Sequence, residues 1–466
     1  MTLIDKFIEW AKTSISLKLF VIGTVTFLLM IPMLMVSSLI DERGGLKNSV
    51  AQEIYAEWSG AQTLQGPILT LPYYEYYLVD VEDKDTQGNI IKKEELRKRI
   101  AYIHLLPDTL LVEGSISPEI RYRSIYEAVV YQSALKVHGV YQKPDLSEWE
   151  IAQKDVLYDK ASISFGLSDL RGVQERIKIQ FGEAEYFFNP SIKSDEVSNV
   201  IKSGVSVPVR FDAGRNSMAF SFDLKLNGSE SLFFLPYGKE TKVSLHSTWS
   251  NPSFAGDFLP DSRSIDQNGF DAVWKVVDIN RAYPQSFRGT DVYKLKHDMK
   301  YQYANGFQES AFGVNLRVPV DYYQKSSRSV KYGILVIVLT FISFFFVEIF
   351  MQKRIHAFQY ILVGFALILF FALLISFSEH IGFNLAYAVS SFATIAAITL
   401  YARSVFKSRK FVLILLGILT LFYAFIFILL QLQDYSLILG SVMLFVVLST
   451  VMYISKDIDW YNIKKG

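Results

Sequence analysis

Apolar residues are concentrated in two parts of the chain, Leu17–Ile40 and the stretch from Tyr332 to the C-terminus, and a long stretch of mixed polarity separates them. A helix rises 1.5 Å per residue, so about 20 apolar residues cross the roughly 30 Å hydrocarbon core of a bilayer. Leu19–Ile40 is long enough to do so. Five more such runs follow: Tyr332–Phe350, Tyr360–Ser378, Phe383–Tyr401, Phe411–Gln431 and Leu437–Ile454. The pattern predicts a membrane protein with one N-terminal anchor helix and a C-terminal bundle of five.

The first apolar run could also be the hydrophobic core of a secretory signal peptide. Such cores have 7–15 residues, whereas this run is longer and no small-x-small cleavage site follows it. We therefore expect an uncleaved signal anchor. Pro32 lies within it and is expected to kink the helix, which membrane helices tolerate.

Lys and Arg are unevenly distributed over the segments that flank the predicted spans. With the N-terminus inside, the cytoplasmic segments hold twelve: Lys6, Lys12, Lys18, Lys353, Arg354, Arg403, Lys407, Arg409, Lys410, Lys456, Lys464 and Lys465. The short loops on the other side, around Glu379–His380 and Gln431–Asp434, hold none. Because short cytoplasmic loops carry the excess of Lys and Arg, both termini are predicted to face the cytoplasm. The resulting domains are residues 1–40 (N-terminus and anchor), 41–331 (extracytoplasmic) and 332–466 (bundle).

The extracytoplasmic region begins with a helical pattern and continues with a strand pattern. Leu46, Val50, Ile54 and Trp58 recur at helical spacing, so residues 44–58 are expected to extend the first helix. After Gly60, short runs rich in β-branched and aromatic residues alternate with turn signals. Two of these signals are Gln87-Gly88-Asn89 and Asn227-Gly228. About ten or more such runs predict an antiparallel, β-sandwich-like double sheet.

A run of charged residues, Lys92–Arg99, follows the first of these turn signals. It could contact anionic lipid or an anionic polymer. The simpler interpretation is a solvated strand edge whose charges prevent aggregation, and we favour it.

Sequence signatures of catalysis are missing. The chain has no cysteine, which excludes disulfides, thiolate metal sites and thiol nucleophiles. It has no G-x-S-x-G, H-E-x-x-H, Walker or strand-linked G-x-G-x-x-G motif, and its six histidines are not at ligand spacing. We therefore predict no catalytic residues, no metal site and no cofactor. The net charge of +1 also gives no indication of nucleic-acid binding.

The segment Trp249–Asp261 combines aromatic residues, two prolines, a glycine and two aspartates directly after a predicted strand. Proline fixes φ and glycine permits a turn, so this is not a generic loop. One hypothesis is a recognition surface, with candidate binding residues Trp249, Pro252, Phe254, Gly256, Asp257 and Phe258. The favoured alternative is a structured corner that closes one end of the sandwich. A hydrolase would instead need Asp257 to converge with Asp261 or Asp266.

Three polar residues at the membrane boundary are further candidates. Glu379 and His380, at the outer end of a predicted span, could form a proton or ion relay or could cap the loop. Glu348 lies near the cytoplasmic end of another span, and Lys353 and Arg354 are its expected partners. Single glycines, Gly364, Gly417 and Gly440, permit close helix packing.

Several motifs together resemble the CreD family of bacterial inner-membrane proteins, which are described as cell-envelope integrity proteins. They are Gly66–Pro72, Trp249–Asp261, Gly269–Val277, Lys331–Glu348, His356–Gly364, Ser378–Tyr387 and Asp457–Ile463. The resemblance implies the bacterial inner membrane, a periplasmic β domain and a role in envelope homeostasis or stress tolerance. It brings no catalytic residues. The predicted fold class is thus an α+β membrane protein with six transmembrane helices and a large periplasmic antiparallel β-sandwich-like domain.

The leading functional hypothesis is a non-enzymatic envelope protein. Its periplasmic domain is expected to bind an envelope protein, lipid or glycan, and its helices contact membrane lipids. The alternative is a transporter or flippase-like protein that uses the C-terminal bundle and Glu379–His380.

Overall fold

A computed structural model describes residues 15–84, 90–192, 195–288, 310–316, 322–351, 355–432 and 436–456. The chain divides into two compact units, one made of residues 1–49 and 320–466 and the other of residues 50–319. The predicted turn Gln87-Gly88-Asn89 and the motif Asp457–Ile463 lie outside the described residues. The domain limits at residues 40 and 331 follow from the membrane spans and stay predictions.

The helices of both units account for all the predicted spans. They are α1 (Ile15–Trp58), α2 (Asp195–Val200), α3 (Tyr322–Lys331), α4 (Gly333–Met351), α5 (Ala357–Ile381), α6 (Phe383–Phe406), α7 (Arg409–Gln431) and α8 (Ser436–Ser455). Among the described residues, α1 and α4 to α8 are long and apolar enough to cross a membrane, which confirms the arrangement of one plus five. Pro32 lies inside the continuous helix α1. The short helix α3 was not predicted.

Helix α1 packs against the helices of the C-terminal bundle within the first unit. Leu29 and Met33 are buried. A Cβ atom on Gly364 of α5 would collide with the Leu29 side chain, and one on Gly333 of α4 would collide with Met33. The two glycines therefore allow the close helix approach that small residues permit in membranes. The N-terminal anchor is part of the bundle.

The second unit contains two sheets. The nine-stranded sheet consists of β1 (Gln62–Lys84), β2 (Ile90–Leu105), β5 (Ala161–Leu167), β8 (Asn189–Pro190), β9 (Gly204–Val209), β11 (Ser231–Phe234), β13 (Pro252–Gly256), β16 (Ser286–Arg288) and β17 (Phe312–Leu316). The eight-stranded sheet consists of β3 (Thr109–Arg123), β4 (Tyr126–Gln142), β6 (Lys178–Phe181), β7 (Ala184–Phe187), β10 (Ser217–Ser229), β12 (Glu240–Ser247), β14 (Ser262–Asp266) and β15 (Gly269–Val277). Their alternating apolar residues share one core, which confirms the predicted sandwich.

The strand order places particular strands at the sheet ends. The first sheet runs β13-β17-β11-β1-β5-β9-β8, with β2 paired to β1 and β16 paired to β2. The second runs β14-β15-β12-β3-β4-β10-β6-β7. The pairs β1–β11 and β3–β12 are parallel, and the other strand pairs are antiparallel. Strands β13 and β14 are therefore end strands, one in each sheet.

The end of α1 belongs to the second unit, and the predicted helical extension to Trp58 is confirmed. Ile54 is buried against β4, and Trp58 packs beside it. The guanidinium of Arg123 on β3 donates to Glu53 at 2.7 Å and to Glu57 at 2.8 Å. Apolar burial and ion pairing together attach the last turns of the helix to the sheet.

The predicted turn at Asn227-Gly228 is wrong. Both residues lie within β10, which continues to Ser229. A Cβ at Gly228 would collide with the Tyr131 ring on the neighbouring strand β4, so this glycine makes room for an aromatic side chain. Strand β10 ends at Ser229, and Glu230, whose φ is 57°, leads into β11 of the other sheet.

Gly364→Leu tests the packing of α1 in the bundle. We expect it to lower the free energy of unfolding by about 1–3 kcal/mol, since the added side chain overlaps Leu29. Gly417→Leu is the matched control, because no atom lies within 4 Å of a Cβ at Gly417. Thermal unfolding of the detergent-solubilised chain measures both, and Leu29→Ala should restore stability to Gly364→Leu. Equal losses in the two glycine variants would contradict the packing.

Candidate functional site

The segment Trp249–Asp261 connects the end strands of the two sheets. It contains β13 and leads into β14. β13 pairs with β17 and β14 pairs with β15. The segment therefore covers one side of the sandwich.

The aromatic rings of this segment are held by the core. The Phe254 ring lies 5.5 Å from that of Phe270 and 5.6 Å from that of Trp274, both edge-on. Phe258 packs edge-on against Phe312 at 6.0 Å. Trp249 is half-buried against the same core. Edge-to-face pairs of this kind add to the stabilisation by burial.

The backbone after β13 is fixed by a close approach to the neighbouring strand. Gly256 has a φ of +103°, and a Cβ there would collide with the carbonyl of Ala311. The amide of Asp257 donates to that carbonyl at 3.0 Å. Only glycine allows both the positive φ and the close approach to Ala311 at this position.

Asp257 and Leu259, on either side of Phe258, are among the exposed residues of this segment. The Asp257 side chain is exposed, and Leu259 is 66% exposed. Asp261 and Asp266 instead cap backbone amides: Asp261 accepts from Lys275 N at 2.6 Å, and Asp266 accepts from Asn268 N at 2.7 Å. Sequence reasoning missed Leu259, because no local pattern shows that one leucine in an apolar motif stays in solvent.

Glu348 lies in the first unit and is buried, with 6% of its surface exposed. Its Oε1 accepts from the amide of Ile355 at 2.9 Å, and its Oε2 accepts from the Tyr360 hydroxyl at 3.3 Å. The ammonium of Lys18 on α1 forms an ion pair with the same carboxylate. The expected partners Lys353 and Arg354 lie outside the described residues. A buried carboxylate requires such pairing, so the observed contacts give Glu348 a structural role.

Glu379 and His380 differ in their surroundings. Glu379 is half-buried, and its carboxylate accepts from the Tyr323 hydroxyl of α3 at 2.9 Å. Burial and this hydrogen bond raise the pKa of the Tyr323 phenol, so it remains a neutral donor. His380 is exposed one residue further on. Transport through the bundle stays a prediction.

Polar side chains of α3, α6 and α7 are also hydrogen-bonded to one another. Lys325 of α3 donates to Gln431 of α7 at 3.1 Å, and Gln431 donates to Asn384 of α6 at 2.7 Å. The side chain of Gln431 thus links both α3 and α6 to α7.

His104 is a buried histidine of the second unit. Its Nδ1 lies 3.0 Å from the Thr70 hydroxyl, and its ring lies 4.9 Å from that of Phe287. Burial lowers the pKa of His104 to about 4, so it is neutral at physiological pH. Within the ranges that the structure describes, no three His, Asp or Glu residues are grouped as metal ligands.

These features define a class: a multi-span membrane protein in which a large β-sandwich is inserted between the first span and the other five. The family described as "Inner membrane protein CreD" matches residues 14–461. The Escherichia coli (strain K12) protein of that description is 31% identical over 460 residues, which cover 97% of this chain and 93% of the relative. The chain therefore belongs to the CreD family of inner membrane proteins.

The chain is remotely similar to a solved structure. A crystal structure of a candidate nutrient-binding protein from Legionella pneumophila is 7% identical, covers 39% of this chain and 68% of its own, and has a TM-score of 0.24. So low a score carries no inference about fold or ligand.

Loss of the Lys18 charge tests the role of Glu348. Lys18→Met removes a cation that is paired with a buried carboxylate, so we expect a loss of about 3–5 kcal/mol in the free energy of unfolding. Adding Glu348→Gln should recover most of it, because the charge disappears and an acceptor for Ile355 N remains. Lys410→Met, at an exposed lysine of the same unit, is the control. Chemical unfolding in detergent measures the stability of all three variants. An unchanged stability for Lys18→Met would contradict the ion pair.

Proposed function

We propose that this protein is a non-enzymatic component that supports envelope integrity under stress, and that its β-sandwich binds an envelope protein, lipid or glycan. The membrane helices fix this domain at the inner membrane. The observation that carries the proposal is the contrast within Trp249–Asp261 between rings held by the core and the exposed residues Asp257 and Leu259.

The contrast supports binding because a rigid surface loses little entropy when it binds. Gly256 and the flanking aromatic packing hold the backbone in one conformation. An exposed leucine beside an exposed carboxylate offers an apolar contact and a polar one on that fixed backbone. Pre-organised groups of this kind bind with a smaller ordering cost.

Surface substitution separates this proposal from a purely structural role. Asp257→Asn with Leu259→Ser should leave the melting temperature nearly unchanged, since neither side chain is in the core. We expect it to abolish complementation in cells that lack their own copy, scored as sensitivity to detergent. Phe254→Ala is the control, and it should cost about 3 kcal/mol of stability by removing a ring from the core. Full complementation by the double variant would contradict the proposal.

We also propose that both termini are cytoplasmic and that residues 41–331 are periplasmic. The distribution of Lys and Arg supports this orientation. The chain has no cysteine, so single cysteines report topology cleanly. With the outer membrane permeabilised, a membrane-impermeant maleimide should label Leu259→Cys and spare Lys410→Cys. The reverse pattern would overturn the orientation.

A further inference from the structure

Strands β1 and β2 extend as a two-stranded arm, defined here as Tyr74–Glu82 paired with Lys92–Ile100. The two strands run antiparallel to each other, and residues that lie directly opposite each other have their side chains on the same face. Tyr74, Tyr76, Leu78 and Asp80 therefore share one face with their partners, and Glu75, Tyr77 and Val79 share the other. The partners on the first face are Ile100, Lys98, Leu96 and Glu94, in that order.

The second face is occupied by contacts within the arm. Arg99 donates to Glu75 at 2.6 Å, and its guanidinium lies 5.6 Å from the Tyr77 ring. Arg97 donates to Glu95 at 3.0 Å. We call this the paired face. Glu75, Arg99, Arg97 and Glu95 on this face have partners in the same chain.

The first face, which we call the open face, exposes apolar side chains. The exposed fractions are 49% for Tyr76, 62% for Leu78, 64% for Leu96 and 50% for Ile100. Such a contiguous apolar patch marks an interaction site more often than single exposed residues do. The patch is bordered by charges of opposite sign, with Lys98 on the domain side of Leu96 and Glu94 on the tip side.

We propose that the open face binds the open face of a second copy of this chain, with the two arms antiparallel. A two-fold axis through the Leu78–Leu96 layer places each leucine against its own counterpart. It then places Lys98 of each copy against Glu94 of the other. Tyr76 of each copy lies near Asp80 of the other, while its hydroxyl donates to Asp155 of its own copy at 3.2 Å.

The charges select this arrangement over a parallel one. In parallel arms related by a two-fold axis, β1 of each copy would lie over β2 of the other, so that Asp80 would lie against Glu94 in both halves of the interface. Like charges across an interface are strongly unfavourable. Antiparallel arms replace both repulsive contacts by attractive ones around an apolar centre. An isologous interface of this kind closes as a dimer.

Disulfide formation in native membranes tests the proposal on the full-length chain, which contains no cysteine of its own. Leu78→Cys lies at the two-fold axis, so oxidation should link two copies into a dimer. Tyr77→Cys is the matched control, because it is the adjacent residue, 41% exposed, on the paired face. It should give no dimer. Equal dimer formation by the two variants, or linkage of Leu78→Cys only to other proteins, would overturn the proposal.

Charge reversal in the Leu78→Cys background tests the antiparallel register. Lys98→Glu alone should reduce the dimer fraction by about tenfold or more, because it places carboxylates in contact. Adding Glu94→Lys exchanges the two charges within each copy and should restore the dimer. Both residues are exposed, so folding is retained. No loss with Lys98→Glu, or no recovery in the double variant, would contradict the register.

Discussion

The carboxylate of Glu348 imposes the strongest constraint on the membrane-embedded unit. A charge in that position must be paired, because leaving it bare costs several kcal/mol. Its cation, Lys18, comes from the other end of the chain, 330 residues away in sequence. Helix α1 therefore has to pack into the bundle, and Gly364 and Gly333 leave the space that Leu29 and Met33 fill. An anchor helix without this pair would need only to span the bilayer.

The last turns of the same helix belong to the β-sandwich unit, and apolar packing and ion pairs attach them to its strands. Ile54 and Trp58 are placed against β4, and Arg123 pairs with Glu53 and Glu57. The sandwich is stabilised by a continuous apolar core and not by disulfides, since the chain has no cysteine. A core of this size leaves the surface residues free to serve recognition. Asp257 and Leu259, the residues to which we assign recognition, contribute little to that core.

The membrane spans and most strands could be predicted because each rests on a local pattern. A run of about 20 apolar residues has few alternatives to a spanning helix, and alternating apolar residues favour strands. The turn predicted at Asn227-Gly228 was wrong because the glycine leaves space for the ring of Tyr131 on the neighbouring strand. The pairing of Lys18 with Glu348 was out of reach for a similar reason, since contacts between distant segments leave no local signal.

The candidate site was predictable only in part. Composition singled out Trp249–Asp261, but which of its side chains are buried depends on strands β15 and β17. The charged run Lys92–Arg99 was expected on a solvated strand, and it is exposed there. Its division into a paired and an open face required the register between β1 and β2.

The most direct test of the recognition role is photo-crosslinking in intact cells from a photoreactive residue at position 259. Position 254 serves as the reference, because Phe254 packs against Phe270 and Trp274. If this surface binds a partner, position 259 will give a reproducible adduct with a protein, lipid or glycan, and position 254 will give only intramolecular adducts. Intramolecular adducts alone from position 259 would contradict a binding role for this surface.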